Sequence, residues 1–555
     1  MLAFFVFLIL SVARLIFIQF FRTDYFAGIA KKQHNLFVEL EPRRGTIYDA
    51  NLKAQAVNVL ADSLYVSPDQ MLFEDKEAAI KSLAAILKAD RDFLKNRIYR
   101  DKSFVWLARK ITPEQAEAVS SLKLKGIGFI KESKRCYPNT YLASHVLGFA
   151  GLDNRGLEGL ELFYDKYLKG ENGYAMILRD ARQKKLDLRE KMVPPRDGYD
   201  LVLTIDEVIQ NIAERELETV FKKYSAKAAC IIVMDPHTGE ILAMANRPTY
   251  DLNSSAKGSK EAGRNRAISD LFEPGSVFKI VTASAAIEEG KVSEEDKFFC
   301  ENGSYRVASH TLHDHRPHGW LTFREVIEKS SNIGTTKIAQ LLGAQVIYNY
   351  IKLFGFGKKL GVDLPGEISG INKPPRSWSK VSIGAVPIGH EVGVTALQLV
   401  AAISAVANGG QLMRPFIVKE IRDKFGETIK EFLPSMIRKV ISVDSAARVK
   451  EILTGVVESG TGKGAKIPGV KAAGKTGTAQ KLDQRGRYSH NKFIATFIGF
   501  APAEDPQIAI VVMVDEPRPV YYGGVVSAPV FKRVAEDTLR YLETGRPIKG
   551  RYRQK

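Results

Sequence analysis

Three groups of residues carry side chains that could make and break covalent bonds. The first is Ser276 with Lys279, in Glu273-Pro274-Gly275-Ser276-Val277-Phe278-Lys279. A neutral serine hydroxyl is a poor nucleophile, but a nearby amine that burial keeps uncharged can take its proton. Residues three apart on a helix share a face, so the pair can meet. A Pro-Gly turn precedes Ser276, the apolar run Ile280 to Ile287 follows it, and Gly290 closes the segment. That pattern predicts a buried helix with Ser276 in its first turn. The helix N-terminus adds positive potential where an oxyanion would form. Ser-x-x-Lys also begins at Ser120, Ser254, Ser377 and Ser489, so the spacing alone also fits a capping serine beside an unrelated lysine.

The second group is Ser330-Ser331-Asn332. Thr322-Phe323-Arg324-Glu325 has capping-box spacing and starts a helix that runs into it. A second helix is predicted from about Thr335 to Gly343. A hydroxyl and an amide at such a junction can point into one cleft, or can cap helices locally. The third group is Lys475-Thr476-Gly477-Thr478, after the glycine-rich run Gly460 to Gly474. On an edge strand its lysine and hydroxyls can bind a carboxylate, and its glycine can let a substrate backbone lie close. A polar strand end is the plain alternative.

The elements that must position these groups are legible nearby. Leu203-Thr204-Ile205-Asp206 leads into a helix from Glu207 to about Lys223. Strands at Ala228–Met234 and Glu240–Asn246 flank a turn at Asp235-Pro236-His237-Thr238-Gly239, a hairpin signal. An apolar helix, Ala396 to Ala407, stops at Asn408-Gly409-Gly410. Phe493–Phe500 and Ile508–Asp515 read as further strands. Upstream, residues 75–120 are charged and helix-patterned. The small-residue turns around Arg135-Cys136-Tyr137-Pro138 and Gly156-Leu157-Glu158-Gly159 suggest a β-rich module, and Pro194-Pro195-Arg196-Asp197-Gly198 marks its boundary.

The chain has 555 residues, 45% of them hydrophobic, and a net charge of +18. That length suits two or three domains, and that charge suits an anionic partner. No basic block interleaved with aromatics stands out, which disfavours nucleic acid. A basic cluster, Arg546, Lys549, Arg551, Arg553 and Lys555, reads as a solvated tail. Residues 1–20 are apolar apart from Ser11, Arg14 and Gln19. As a helix they span about 30 Å, the thickness of a hydrocarbon core. An uncleaved anchor fits better than a signal peptide, which has a shorter apolar region and a basic start. The basic residues Arg22, Lys31 and Lys32 follow the span, so an outward-facing bulk requires a basic cytoplasmic leader before it. Cys136, Cys230 and Cys300 form no disulfide framework and match no zinc spacing. His310, His313, His315 and His318 with Asp314 could ligate zinc, but a polar loop is the preferred reading.

In order and spacing, Ser276-x-x-Lys279, Ser330-x-Asn332 and Lys475-Thr476-Gly477 together resemble the active-site triplet of penicillin-recognising serine acyl-transferases. The anchor, Arg44-Gly45-x-Ile47-x-Asp49, Arg135-x-Tyr137-Pro138, Gly156-x-x-Gly159-x-Glu161, Leu203-Thr204-Ile205-Asp206 and Tyr521-Tyr522-Gly523-Gly524 resemble class B, monofunctional penicillin-binding proteins. The compact length without further repeats is most similar to the cell-division, septal type, with the elongation type next.

The resemblance implies an α/β fold: a transmembrane anchor at 1–21, a β-rich pedestal or docking domain at 22–198, a transpeptidase domain at 199–545 with an antiparallel sheet flanked by helices, and a basic tail at 546–555. It implies that Ser276 attacks the D-Ala-D-Ala carbonyl of a peptidoglycan stem peptide, with Lys279 as base. Ser330 would relay a proton, Asn332 would orient Lys279 and the donor amide, and Lys475 would hydrogen-bond Ser330. Thr476 and Thr478, with Gly477 between them, would hold the substrate carboxylate. Backbone N–H groups of Ser276 and Thr478 would form the oxyanion hole. No cofactor or metal is implied. Implied partners are β-lactams, a SEDS-family glycan polymerase and other division proteins, at the cytoplasmic membrane with the catalytic domain outside. A D,D-carboxypeptidase, a β-lactamase, a β-lactam sensor and a divisome scaffold share parts of this pattern. No Glu-x-x-Leu-Asn, which resembles a β-lactamase deacylation loop, occurs in the chain.

Overall fold

The computed structural model describes residues 2–23, 25, 35–71, 73–102, 104–179, 185–257, 260–482 and 486–545. Lys31, Lys32 and the basic cluster from Arg546 to Lys555 lie outside the described residues. The chain divides into two compact units. One comprises 1–45, 58–135 and 166–199; the other comprises 46–57, 136–165 and 200–555.

In the first unit, Leu2–Phe21 is a 20-residue helix with an exposed apolar surface, long and apolar enough to cross a membrane. The charged, helix-patterned stretch becomes three helices, Phe73–Leu87, Arg91–Ile98 and Pro113–Ser121. Asp90 caps the second and a Thr112–Gln115 capping box starts the third. Ile80, Leu83, Leu94, Ile98 and Val119 pack with strand residues Leu64, Val66 and Leu107 into one small core. A separate antiparallel sheet orders Asn35–Leu40, Gly173–Arg179 and Lys185–Val193. Arg135 donates from Nη1 to the Gly45 carbonyl at 2.7 Å, which ties two of the sequence motifs together.

The second unit is built on a five-stranded antiparallel sheet. Its strands are β1 (Ala228–Met234), β2 (Ile241–Arg247), β3 (Ala473–Leu482), β4 (Tyr488–Ala501) and β5 (Ile508–Asp515), in the order β2-β1-β5-β4-β3. β1, β2 and β5 are buried along their whole length. Helices cover both faces, so these strands read as unbroken apolar runs rather than alternating ones. Helix α1 (Glu207–Lys223) and the helix Ala528–Gly545 join one face through Ile209, Leu217, Phe531 and Val534 against Ile231, Val512 and Phe497. The helix Ala396–Ala407, buried throughout, packs on the sheet through β1, β4 and β5. Asp206 caps α1, accepting from Val208 N and Ile209 N at 2.9 and 3.3 Å. Asn51 Nδ2 and Tyr541 Oη donate to its other oxygen at 2.9 and 3.1 Å. Asp49 in turn accepts from Glu207 N at 3.1 Å, so residues 46–57 are fastened to the start of α1.

A further buried carboxylate, Asp363, accepts from Ile417 N, Val418 N and Tyr164 Oη at 2.8, 2.8 and 3.0 Å. Burial pushes its acidity down, raising its pKa, while the N–H donors oppose that shift. Truncating it orphans the buried N–H groups of Ile417 and Val418, at about 1–3 kcal/mol for each group left unsatisfied. Asp363→Ala is therefore expected to lose about 3 kcal/mol or more in denaturant unfolding. A loss under 1 kcal/mol would mean that the donors find other partners.

Candidate active site

The turn that carries Ser276 is set by its neighbours before the following helix begins. Gly275–Phe278 form a single 3₁₀ turn, and helix α2 (Lys279–Glu288) starts at the lysine. Residues three apart eclipse in a 3₁₀ turn, which puts Ser276 and Lys279 on one side. Two glycines let other segments close on this turn. Gly389, at φ +86°, accepts from Gly275 N at 3.2 Å, and a Cβ on it would come within 2.2 Å of Gly275 O. A Cβ on Gly477 of β3 would lie 2.9 Å from Pro274 O and from the Val277 side chain. The close approach this glycine permits is thus with the protein's own turn.

Lys279 is fully buried, and so is α2 through Ile287. Its Nζ donates to Ser330 O at 2.6 Å, Asn332 Oδ1 at 2.9 Å and Ser330 Oγ at 3.2 Å. Among the described residues no hydrogen bond joins it to Ser276 Oγ, so the amine rests on Ser330 and Asn332. Burial pulls its pKa down to about 7, partly opposed by the Asp314 carboxylate and then by Cys300. That lowering brings a neutral amine within reach at neutral pH.

Helix α3 (Phe323–Glu328) begins with the Thr322–Glu325 capping box. Ser330 follows it at φ +61°. That left-handed position at a helix end normally belongs to glycine, and a side chain there costs about 1–2 kcal/mol. The conformation turns the Ser330 carbonyl and hydroxyl together toward Lys279. Helix α4 (Asn332–Leu342) starts at Asn332, three residues before the predicted Thr335, because Ser331 caps it by accepting from Gly334 N at 2.9 Å. Asn332 Nδ2 donates to the His313 carbonyl at 2.9 Å, which leaves Oδ1 facing the amine.

β3 is the edge strand of the sheet, as its motif suggests. It delivers Lys475, also fully buried, whose Nζ donates to Ser330 Oγ at 2.9 Å and to Thr476 O at 3.3 Å. Burial holds the Lys475 pKa well below the usual lysine range, and repulsion from Lys279 adds to it. Ser330 Oγ therefore accepts from two amines. With both lone pairs engaged, its own proton is the one left to give. Thr476 Oγ1 shares a hydrogen bond with Thr461 Oγ1 at 2.8 Å, and Thr478 Oγ1 accepts from Gly523 N at 3.0 Å. The structure thus gathers Lys279, Ser330, Asn332 and Lys475 in one hydrogen-bonded group, drawn from the start of α2, the α3–α4 junction and β3; Ser276 lies on the turn before α2, and Gly477 and the two threonines lie on β3.

Two residues escaped the reading by motif. Glu273 accepts from His390 Nδ1, Glu391 N and Tyr488 Oη at 2.9, 2.9 and 3.1 Å, and so joins the start of the Ser276 turn to two other segments. Asp314 accepts from Ser331 Oγ at 2.6 Å, Asn332 N at 2.5 Å and Ile333 N at 3.0 Å. Its place beside four histidines marks a loop read as polar, with a zinc site as the alternative. Among the described residues no three His, Cys, Asp or Glu side chains gather as a metal ion would need. His315 instead packs edge-on against Tyr522, and Cys230 and Cys300 are buried free thiols.

A serine on a 3₁₀ turn, two buried lysines sharing a hydroxyl, and an edge strand beside them define a penicillin-recognising serine acyl-transferase. Residues 229–536 match the penicillin binding protein transpeptidase domain, and 39–203 match the penicillin-binding protein dimerisation domain. The chain belongs to the class B penicillin-binding protein family. It is 38% identical over 546 residues to stage V sporulation protein D of Bacillus subtilis (strain 168), covering 97% of this chain and 84% of that protein. It is 32% identical over 512 residues to the peptidoglycan D,D-transpeptidase FtsI of Escherichia coli (strain K12), covering 91% and 84%. Penicillin binding protein 3 from Mycobacterium tuberculosis, solved with aztreonam, superposes with a TM-score of 0.72 at 30% identity, covering 91% and 98%.

The Ser330 backbone gives a direct test. Ser330→Gly and Ser330→Ala both lose the hydroxyl, but only alanine keeps a Cβ at positive φ. Ser330→Gly is expected to be about 1 kcal/mol more stable than Ser330→Ala in thermal or denaturant unfolding. Equal stabilities would show that the left-handed conformation costs nothing here.

Proposed function

We propose that this protein is a peptidoglycan D,D-transpeptidase that cross-links stem peptides through an acyl-enzyme on Ser276, in septal wall synthesis. The observation that carries the reading is the convergence of Lys279, Asn332 and Lys475 on Ser330, beside the turn that bears Ser276. Neutral Lys279 takes the Ser276 proton as Oγ attacks the carbonyl between the two terminal D-alanines. The C–O bond forms, and the oxyanion is held by the N–H groups of Ser276 and Thr478. One such donor is typically worth about 10²–10³ in rate. The proton passes through Ser330 to the leaving amine as the C–N bond breaks. Lys475 keeps the Ser330 proton directed at that amine, and Asn332 holds both Lys279 and the donor amide. Thr476 and Thr478 bind the terminal carboxylate at the strand edge that Gly477 keeps close to the turn. An amine from a neighbouring stem then runs the steps in reverse and restores the serine.

The similarity to FtsI supports a role in division. The similarity to a stage V sporulation protein, at 38% identity over nearly the whole chain, favours a second reading, wall synthesis during sporulation. The anchor at 1–21 would hold the protein in the cytoplasmic membrane by a single pass, with the catalytic domain at 199–545 on the outer side. The pedestal at 22–198 would meet a SEDS-family polymerase and other division proteins, and 546–555 would be a basic tail.

Intact mass after incubation with benzylpenicillin is expected to show one persistent adduct, absent in Ser276→Ala. Labelling retained in that variant would refute the nucleophile. Lys279→Ala is expected to slow acylation by at least 10²-fold, within the range a general base supplies. The sign of the pH effect follows from the lowered amine: its neutral form grows as pH rises through about 7. The acylation rate should therefore climb with a midpoint near pH 7; a flat profile, or a midpoint above pH 9, would remove Lys279 as the base.

A further inference from the structure

Outside the hydrogen-bonded group, a short antiparallel ribbon pairs Lys297–Phe299 with Trp320–Thr322. Phe299 stands directly opposite Trp320, so their rings share one face, with centroids 5.3 Å apart. Trp320 is 66% exposed, and from 297 to 322 it is the one large apolar side chain left open to solvent. Lys337 extends the row. Its Nζ lies 5.8 Å from the Phe299 ring centroid and 5.0 Å from that of Tyr305. The same amine donates to Phe299 O and Glu301 Oε1 at 2.7 and 2.6 Å. Glu301 and Asn302 both take left-handed backbone, at φ +47° and +49°, a conformation unfavourable to residues with a Cβ. That turn puts Glu301 on Lys337 and sets the exposed Asn302 beside Gly319, with its Oδ1 3.8 Å from where a Cβ on that glycine would lie. Backbone strain of this kind clusters where a ligand is held.

We propose that this ribbon is a binding subsite for an N-acetylated sugar of the glycan chain to which a stem peptide is joined. The inference rests on the transpeptidase reading, which supplies a substrate that is part peptide and part sugar. The size fits. A stable protein partner covers about 800 Å² on each side, whereas one indole ring offers about 150–250 Å², a patch for a sugar ring or two. The chemistry fits as well. A pyranose presents C–H faces that lie flat on an indole, and its hydroxyl and acetamido groups need polar partners at the rim. Asn302 and the Lys337–Glu301 pair stand at that rim. The ribbon is also continuous with the catalytic group. Thr322 ends it and caps α3, which leads to Ser330, and Cys300 follows Phe299 with its Sγ 3.4 Å from Ser331 Oγ. Lys337 is five residues along α4 from Asn332, a rise of about 7–8 Å. An extended peptide spans about 3.3–3.6 Å per residue, so a few stem residues bridge the acyl site and the ribbon.

The test titrates the full chain in detergent with a soluble oligomer of β-1,4-linked N-acetylglucosamine, followed by calorimetry. The parent is expected to bind with a Kd below about 1 mM, and Trp320→Ala about tenfold more weakly or worse. The thermal midpoint of that variant should stay in place, because the ring is exposed. Trp320→Phe keeps an aromatic face and should recover most of the affinity. A second readout compares a glycan-linked stem with the free stem peptide in acyl transfer. Trp320→Ala is expected to raise KM for the linked stem about fivefold or more with kcat unchanged, and to treat the free stem as the parent does. A merely structural role would shift both substrates alike. Equal sugar affinity in parent and Trp320→Ala overturns the proposal, and so does a parent that binds no sugar at about 10 mM. Benzylpenicillin labelling reports on the acyl-enzyme reading separately: a parent that binds the sugar but takes no label would overturn that reading and not the subsite.

Discussion

The structure depends on one costly arrangement: two lysine amines removed from water and pointed at a single hydroxyl. A lysine shifted from its ordinary value to about 7 gives up several kcal/mol of favourable hydration. A second buried amine on the same oxygen deepens the penalty, because like charges close together in a low dielectric cannot both persist. In the proposed mechanism, the penalty is what makes the site reactive. An amine that resists protonation is a base at neutral pH, and a hydroxyl with both lone pairs engaged has only its proton to offer. The rest of the second unit can be understood as the scaffold that keeps this arrangement from relaxing.

That scaffold works by close approach of rigid elements. The turn before α2 is pressed between Gly389 and β3, and in each case a missing Cβ makes the room. α2 is buried along its length, so Lys279 cannot swing toward solvent. Ser330 stays in a left-handed conformation although a glycine would adopt it more readily. The hydroxyl is worth more to the site than the backbone ease that glycine would give. The sheet core, with β1, β2 and β5 buried on both faces, supplies the stability that such local strain draws on.

Much of this was legible from the sequence because the signals were local. Asp206 before an amphipathic run marks α1, Thr322 with Glu325 marks α3, and the apolar run from Ala396 to Ala407 forms a helix with those bounds. The three motifs could be placed on a turn, a helix junction and an edge strand. What escaped was non-local. Residues 46–57 and 136–165 belong with the second unit, through pairings such as Asp49 with Glu207 N that no window of sequence displays. The start of α4 shifts to Asn332 because its cap involves Ser331 and an aspartate from a hairpin. The partner of Lys279 at rest is Ser330 rather than Ser276, which only the tertiary fold decides.

The same geometry bears on how the acidic side chains around the site are used. The two carboxylates described around the site are committed elsewhere. Asp314 accepts from three donors at the start of α4, and Glu273 accepts from His390, Glu391 N and Tyr488. Lys279 and Lys475 both face Ser330. Among the described residues that frame the site, the acidic side chains are thus spent on holding it in shape. A site built this way, with its carboxylates holding its shape, moves protons through its two amines and their shared hydroxyl.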